Sequence, residues 1–306
     1  MMDEFTSPYE WNAIGTPQLV MGGDGSTALS WVVELTDPSD EGSQSKSRLH
    51  AMYRPPRSHW QRMRLPARYE SGAVADVDDN GVALVITHED RVQRLVRCDG
   101  ATCVRGKRLP EDWPLGGGIL DADVSPDGEA TSILLSKMVH QGGGSVIFSA
   151  RRDGAGWSVP VRISPPPEDE TYYEARQVMD DHLSTVLVGG RGFASPIRIE
   201  AITGKGGADD TDRQTLAEGD DLVPLGLWSN DGGAMLALWT GNVELEDFTQ
   251  ASYRPNRDAT WSGPADLPSV KDDTVMAGTV LATGGGLVLW FDGERIVAWS
   301  WTESMP

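Results

Sequence analysis

One short pattern recurs six times along this 306-residue chain. It runs small-x-hydrophobic, two or three residues, a turn with Gly, then an alternating apolar run. The copies occupy residues 19–31, 75–87, 122–134, 176–188, 226–238 and 278–290. Anchored on Gly25, Gly81, Gly128, His182, Gly232 and Gly284, they are spaced by 56, 47, 54, 50 and 52 residues. Passing from Gly284 through the C-terminus and on from the N-terminus to Gly25 takes 47 more, so six units average 51. Four residues before each anchor stands an apolar side chain: Met21, Val77, Val124, Val178, Trp228 or Val280. A repeat of this length means stacked supersecondary units, each burying apolar faces on its neighbours.

Most units carry a second signal. Tyr53-Arg54-Pro55 leads to Trp60 and Leu65-Pro66, and Tyr253-Arg254-Pro255 leads to Trp261 and Leu267-Pro268. Arg151 leads to Trp157, and Arg97 leads to Cys103 and Leu109-Pro110. These read as a hairpin of two further strands. The fourth copy, residues 197–216, is degenerate. The sixth is split: residues 297–301 supply its third strand, and residues 9–14, with Trp11 in the place of Trp60, are expected to supply the fourth. Four short strands per unit predict an all-β chain, a six-bladed β-propeller of four-stranded antiparallel blades closed by the N-terminal strand. The single domain would span 1–306, with blades at 18–69, 70–113, 114–169, 170–221, 222–273, and 274–306 joined by 1–17. The 35 glycines and 19 prolines suit turns between strands and disfavour long helices. A pair of β-sandwiches is the rival fold, but it does not explain why the repeat closes.

Two motifs add a resemblance. Ser125-Pro126-Asp127-Gly128 resembles the turn of TolB-type repeats, and Trp157-Ser158-Val159-Pro160 resembles the outer strands of sialidase-type propellers. Over its whole length the chain resembles six-bladed propellers in general. The Ser-x-Asp-x-Gly-x-x-Trp box of sialidases is absent, so the resemblance implies an architecture and not a family.

Charge narrows the partners. Against 26 Lys and Arg stand 46 Asp and Glu, a net charge of −20. Phosphate binding needs clustered basic residues, so nucleic acid and anionic membranes are disfavoured. A cationic small molecule, a cationic peptide or a basic protein surface is the expected partner. No apolar run approaches the ~20 residues of a membrane span. The first nine residues include Asp3 and Glu4 and lack the apolar stretch of a secretory signal, so a cytoplasmic location is expected. Cys98 and Cys103 flank a hairpin turn, and that location predicts free thiols. The five histidines show no metal-ligand spacing.

In such units the connections between blades and the loops between second and third strands share one face. They hold Asp220, Asp221, Asp272, Asp273, His88 and Tyr172, the candidate ligand-binding residues. The competing reading is solvated loop charge. Five residues before their anchors, Asp76 and Asp123 lie on one face of the inner strands and are the candidate metal ligands, suited to Ca²⁺ or another hard cation. The competing reading is a structural polar channel in which Arg176 pairs with Glu174 or Asp123. Tyr172-Tyr173-Glu174-Ala175-Arg176 is the stretch with most chemistry. A catalytic reading assigns Glu174 as acid/base, Asp121 or Asp123 as second carboxylate, and Arg176 and Tyr173 as substrate orienters, the tools of glycan-active enzymes. Two functions follow: a binding propeller with an acidic loop face, or a glycan- or metabolite-active hydrolase, lyase or cyclase at the channel mouth.

Overall fold

The apolar alternation that marks each unit forms strands, and the computed structural model has no helix among its described residues. Those residues are 10–22, 25–36, 46–67, 69, 71–78, 80–89, 92–104, 109, 113, 118–139, 144–153, 156–165, 171–180, 183–192, 196–204, 212–230, 232–243, 246–267, 275–281, 285–291 and 296–302.

The first sheet takes β1 (Glu10–Met21), β2 (Thr27–Thr36), β3 (Lys46–Arg54) and β4 (Gln61–Arg62) in chain order. The second takes β5 (Ser71–Val77), β6 (Val82–Glu89), β7 (Val92–Asp99) and β8 (Thr102–Val104). The third comprises β9 (Gly118–Val124), β10 (Thr131–Met138) and β11 (Ser145–Asp153), with β12 (Gly156–Trp157) and β13 (Val161–Arg162) both on β11. Next come two four-stranded runs. One is β14 (Tyr172–Asp180), β15 (Leu183–Arg191), β16 (Ile197–Gly204) and β17 (Asp212–Gly219). The other is β18 (Asp221–Ser229), β19 (Met235–Val243), β20 (Glu246–Arg254) and β21 (Ala265–Leu267). A single pair, Gly190 with Leu222, joins the two runs into one eight-stranded sheet. The last sheet has three strands, β22 (Val275–Leu281), β23 (Gly285–Phe291) and β24 (Ile296–Thr302). All strand pairing within these sheets is antiparallel.

Every sequence anchor falls between the first and second strands of a run. Four of these turns have one geometry. The N–H groups of Gly25, Gly81, Gly128 and Gly233 donate to the carbonyls of Gly22, Asp78, Ser125 and Asn230, at 2.7 to 3.0 Å. These four glycines have φ of +86°, +78°, +73° and +74°, so each closes its loop in the left-handed region. The fifth anchor is therefore Gly233, one residue beyond the glycine that the repeat singled out. Side chains lock the turns: Asp78 Oδ1 accepts from the N–H groups of Asn80 and Val82, and Asn230 Oδ1 accepts from Gly232 and Ala234.

The first strands pack in series, β1 on β5, β5 on β9, β9 on β14, β14 on β18, β18 on β22, and β22 against β1. Apolar clusters fill the spaces between successive runs. Leu49, Ala51 and Tyr53 meet Val74, Val85 and Cys98; Leu84 and Ile86 meet Ile133 and Leu135. Leu134 and Ile147 meet Val186 and Ile202, Leu187 and Ile199 meet Trp239, and Leu236 and Leu238 meet Val288 and Trp290. Alternate residues of one strand thus serve opposite neighbours, which is why the strands are apolar on both faces.

Three expectations change. Residues 10–14 continue β1 and pair with β2, Trp11 opposite Leu35, so they are not the outer strand of the last sheet. Pro17 has no N–H to give, and the ladder is interrupted between Ile14 and Gln18 and then resumes. Cys98 and Cys103 are not free thiols: they face each other across the β7–β8 ladder and form a disulfide. The fourth hairpin is not degenerate in form, since β17 has eight residues where other outer strands have two or three.

Candidate functional site

The inner-strand carboxylates come together, and their partners are backbone amides of the next strand. Asp76 on β5 accepts from the Val124 N–H of β9 (3.0 Å), and Asp121 on β9 accepts from the Gln177 N–H of β14 (3.0 Å). Asp123 accepts from Met179 N–H, also on β14. Each aspartate additionally on β9 accepts from the amide that follows it, Ala122 at 2.9 Å and Val124 at 2.8 Å. Burial pushes the Asp121 carboxyl up to about 6, against the pull of Arg176 and of the Gln177 and Ala122 amides. Burial also raises Asp123, and the neighbouring Asp76, its hydrogen bond to that side chain and Asp121 all push the same way. The two candidate metal ligands, Asp76 and Asp123, are therefore in contact, and Asp123 favours its protonated form. Among the described residues no group of three or more His, Cys, Asp or Glu side chains is arranged to hold a metal ion.

Gln177 completes the wall. Its Nε2 donates to the Ser132 carbonyl (2.9 Å), and its Oε1 accepts from Ser132 Oγ (3.0 Å). Arg176 does not pair with Glu174: its Nη1 donates to the Ala175 carbonyl (3.0 Å). Further along β14, the buried Asp180 is held by Arg257 through two hydrogen bonds.

The other end of β14 is open. Tyr172, 42% exposed, pairs with Arg191 across the β14–β15 ladder. Glu174 faces Arg191 at 4.0 Å, with side chains 40% and 54% exposed. Asp221, at the start of β18, accepts from the Gly192 N–H (3.2 Å), which sets it beside this group. Asp220 precedes it at the head of the strand. Tyr173 is on the opposite face of β14 from Glu174, packed with Leu120 on the cluster that holds Ile147 and Val186. The proposed catalytic four thus divide three ways: Glu174 in the open end, Tyr173 in the packed face, and Asp121 with Arg176 in the wall. His88 stands opposite Ser71 at the head of β5, half-buried, and burial lowers its pKa. Asp272 and Asp273 lie outside the described residues.

Arg191 was not among the sequence candidates, yet its place is legible. Counting outward from the pair Asp180 and Leu183 brings Tyr172 opposite Arg191, because a hairpin pairs residues symmetrically about its loop.

No family model and no curated protein sequence matches this chain. Solved structures do. The β-propeller domain of the Trilobed protease from Pyrococcus furiosus, described as having an open velcro topology, aligns at a TM-score of 0.54 and 9% identity. That alignment covers 94% of this chain and 83% of that one. The polysaccharide lyase Uly1 aligns at 0.54 and 8% identity, over 92% of this chain and 78% of that one. Prolyl oligopeptidase B from Galerina marginata aligns at 0.51 and 10% identity, over 95% of this chain but 40% of that one. At such identities the likeness is one of backbone architecture, and the architecture they share with this chain is that of a β-propeller.

Proposed function

We propose that the chain is a closed six-bladed β-propeller that binds a cationic ligand or basic peptide on the face where its inner strands begin. Six runs of strands, with β22 packed against β1, support the count and the closure. The single observation that carries the binding reading is the open end of β14, where exposed Tyr172 and Glu174 stand beside Asp221. An amine or guanidinium there would pair with the carboxylates and lie over the tyrosine ring. It would displace Arg191, and an exposed pair at 4.0 Å holds its partner weakly. The inner-strand aspartates take no part, because they join one blade to the next.

Calorimetric titration with spermine and with a hexa-arginine peptide tests this reading. Tyr172→Ala with Glu174→Gln is expected to weaken binding about tenfold, the loss of one charged contact and one ring. Glu129→Gln, on the opposite face, should leave binding unchanged. Equal weakening by both variants would mean diffuse attraction to net charge and would sink the reading.

A further inference from the structure

Beyond the acidic, cation-binding face, the outer edge of the first sheet holds a site of opposite sign. β4 pairs with β3 for two residues, and the Met63 N–H then donates to the Ala51 carbonyl (3.0 Å). The next contact is from the Leu49 N–H to the Tyr69 carbonyl (2.9 Å). Between these bonds only His50 lies on β3, while the returning chain includes residues 64–67. The excess loops outward, and the Arg64 N–H reaches across to the Ala101 carbonyl (2.8 Å) in the second sheet. The detour opens a cavity of about 930 Å³ between β3 and the returning chain.

Pairing decides what lines it. Arg62 lies opposite Met52, so Arg62, His50 and Arg48 share one face, and Arg64 follows two residues after Arg62. Leu49, Ala51 and Met63 take the other face and are buried against the second sheet. All seven line the cavity. It therefore has a cationic side of three guanidiniums, with the His50 ring among them, and an apolar side. His50 is stacked on Trp31, ring centroids 5.5 Å apart. Burial and the charges of Arg62 and Arg48 lower its pKa, so the guanidiniums act on the same space. Arg62 and Arg64 are exposed and have no ion pair among the described residues.

We infer that this cavity binds a small organic anion, its oxyanion group held by Arg62 and Arg64 and its body resting on Leu65 and Ala67, the lining apolar side chains that are only partly buried. Planar guanidiniums grip carboxylate, sulfate or phosphate oxygens in a fork. The volume suits a molecule larger than a bare ion. A net charge of −20 repels long polyanions, so a compact ligand is favoured over a polymer.

The test titrates the full chain with citrate, benzoate and inorganic phosphate, at an ionic strength held constant with NaCl. At least one organic anion is expected to raise the melting temperature by about 2 °C or more at roughly 10 mM. Arg62→Gln and Arg64→Gln together should remove that rise without altering the melting temperature of the unliganded chain, since both side chains are exposed. Citrate or benzoate should exceed phosphate if the apolar side contributes. A rise that persists in the double variant, no rise with any probe, or a rise with inorganic phosphate alone would each overturn the inference.

Discussion

Asp76, Asp121 and Asp123 illustrate how one side chain joins two sheets. Each accepts an amide of the next inner strand, so the carboxylate stands where a ladder bond would stand if the sheets were continuous. The positions of these residues are legible in the alternation of the inner strand. Their partners are not, because an amide donor on the next strand depends on inter-sheet register, which no local pattern encodes. The Asp121 carboxyl titrates at about 6 in the folded chain against 3.8 for the ordinary group. Between those values the folded state binds more protons than the unfolded one. Its contribution to stability therefore falls as pH rises from about 4 to about 6, and is level above that. Asp121→Asn is expected to gain stability relative to the parent across that window, read as the difference in melting temperature at successive pH values. A difference constant from about pH 4 to 7 would mean that this carboxyl ionises as readily folded as unfolded.

The hairpins were the most legible elements. A turn closed by a left-handed glycine needs three loop residues and flanking alternation, and that information is local. Outer strands were less legible because most have two or three residues. Regular alternation at Ile197, Ile199 and Ala201 marks the fourth hairpin better than the tryptophan that the other units led one to seek. Here Arg198 pairs with Glu218 and Arg213 with Glu200 across β16 and β17. The repeated Arg–Trp pairing of the outer hairpins is physical: Arg54 lies over Trp60 at 5.4 Å and Arg254 over Trp261 at 5.9 Å. The disulfide at Cys98 and Cys103 closes a separation of only five residues. Such a short loop restrains the unfolded chain little, so reduction is expected to cost at most about 2 kcal/mol, roughly 4 °C in melting temperature. Calorimetry with and without dithiothreitol measures it. A substantially larger drop would mean that the bond also holds the β7–β8 hairpin in place.

Among the described residues, five apolar clusters lie between consecutive runs, each built from both neighbours. The first and last sheets meet through the contact of β22 with β1, with no exchanged strand among the described residues. The eight-stranded sheet, with Leu187, Leu236 and Trp239 fully buried, should therefore be the last part to open. Hydrogen exchange is expected to show the slowest amides in β15 and β19 and faster exchange in β1 and β24. Uniform protection around all six runs would instead mean that the contact of β22 with β1 is as strong as any other between runs.

The repeat alone determined that this chain is built from strands in six similar units, because alternation and turn chemistry act between residues close in sequence. It also placed Asp76, Asp121 and Asp123 on the inner strands. Tertiary structure decided the rest: which sheet takes residues 10–14, which amides the aspartates hold, that the two cysteines join, and that three arginines of an acidic chain line one cavity. Each of these depends on which strand lies beside which and in what register. Those are relations between segments that a local pattern leaves open and that only packing resolves.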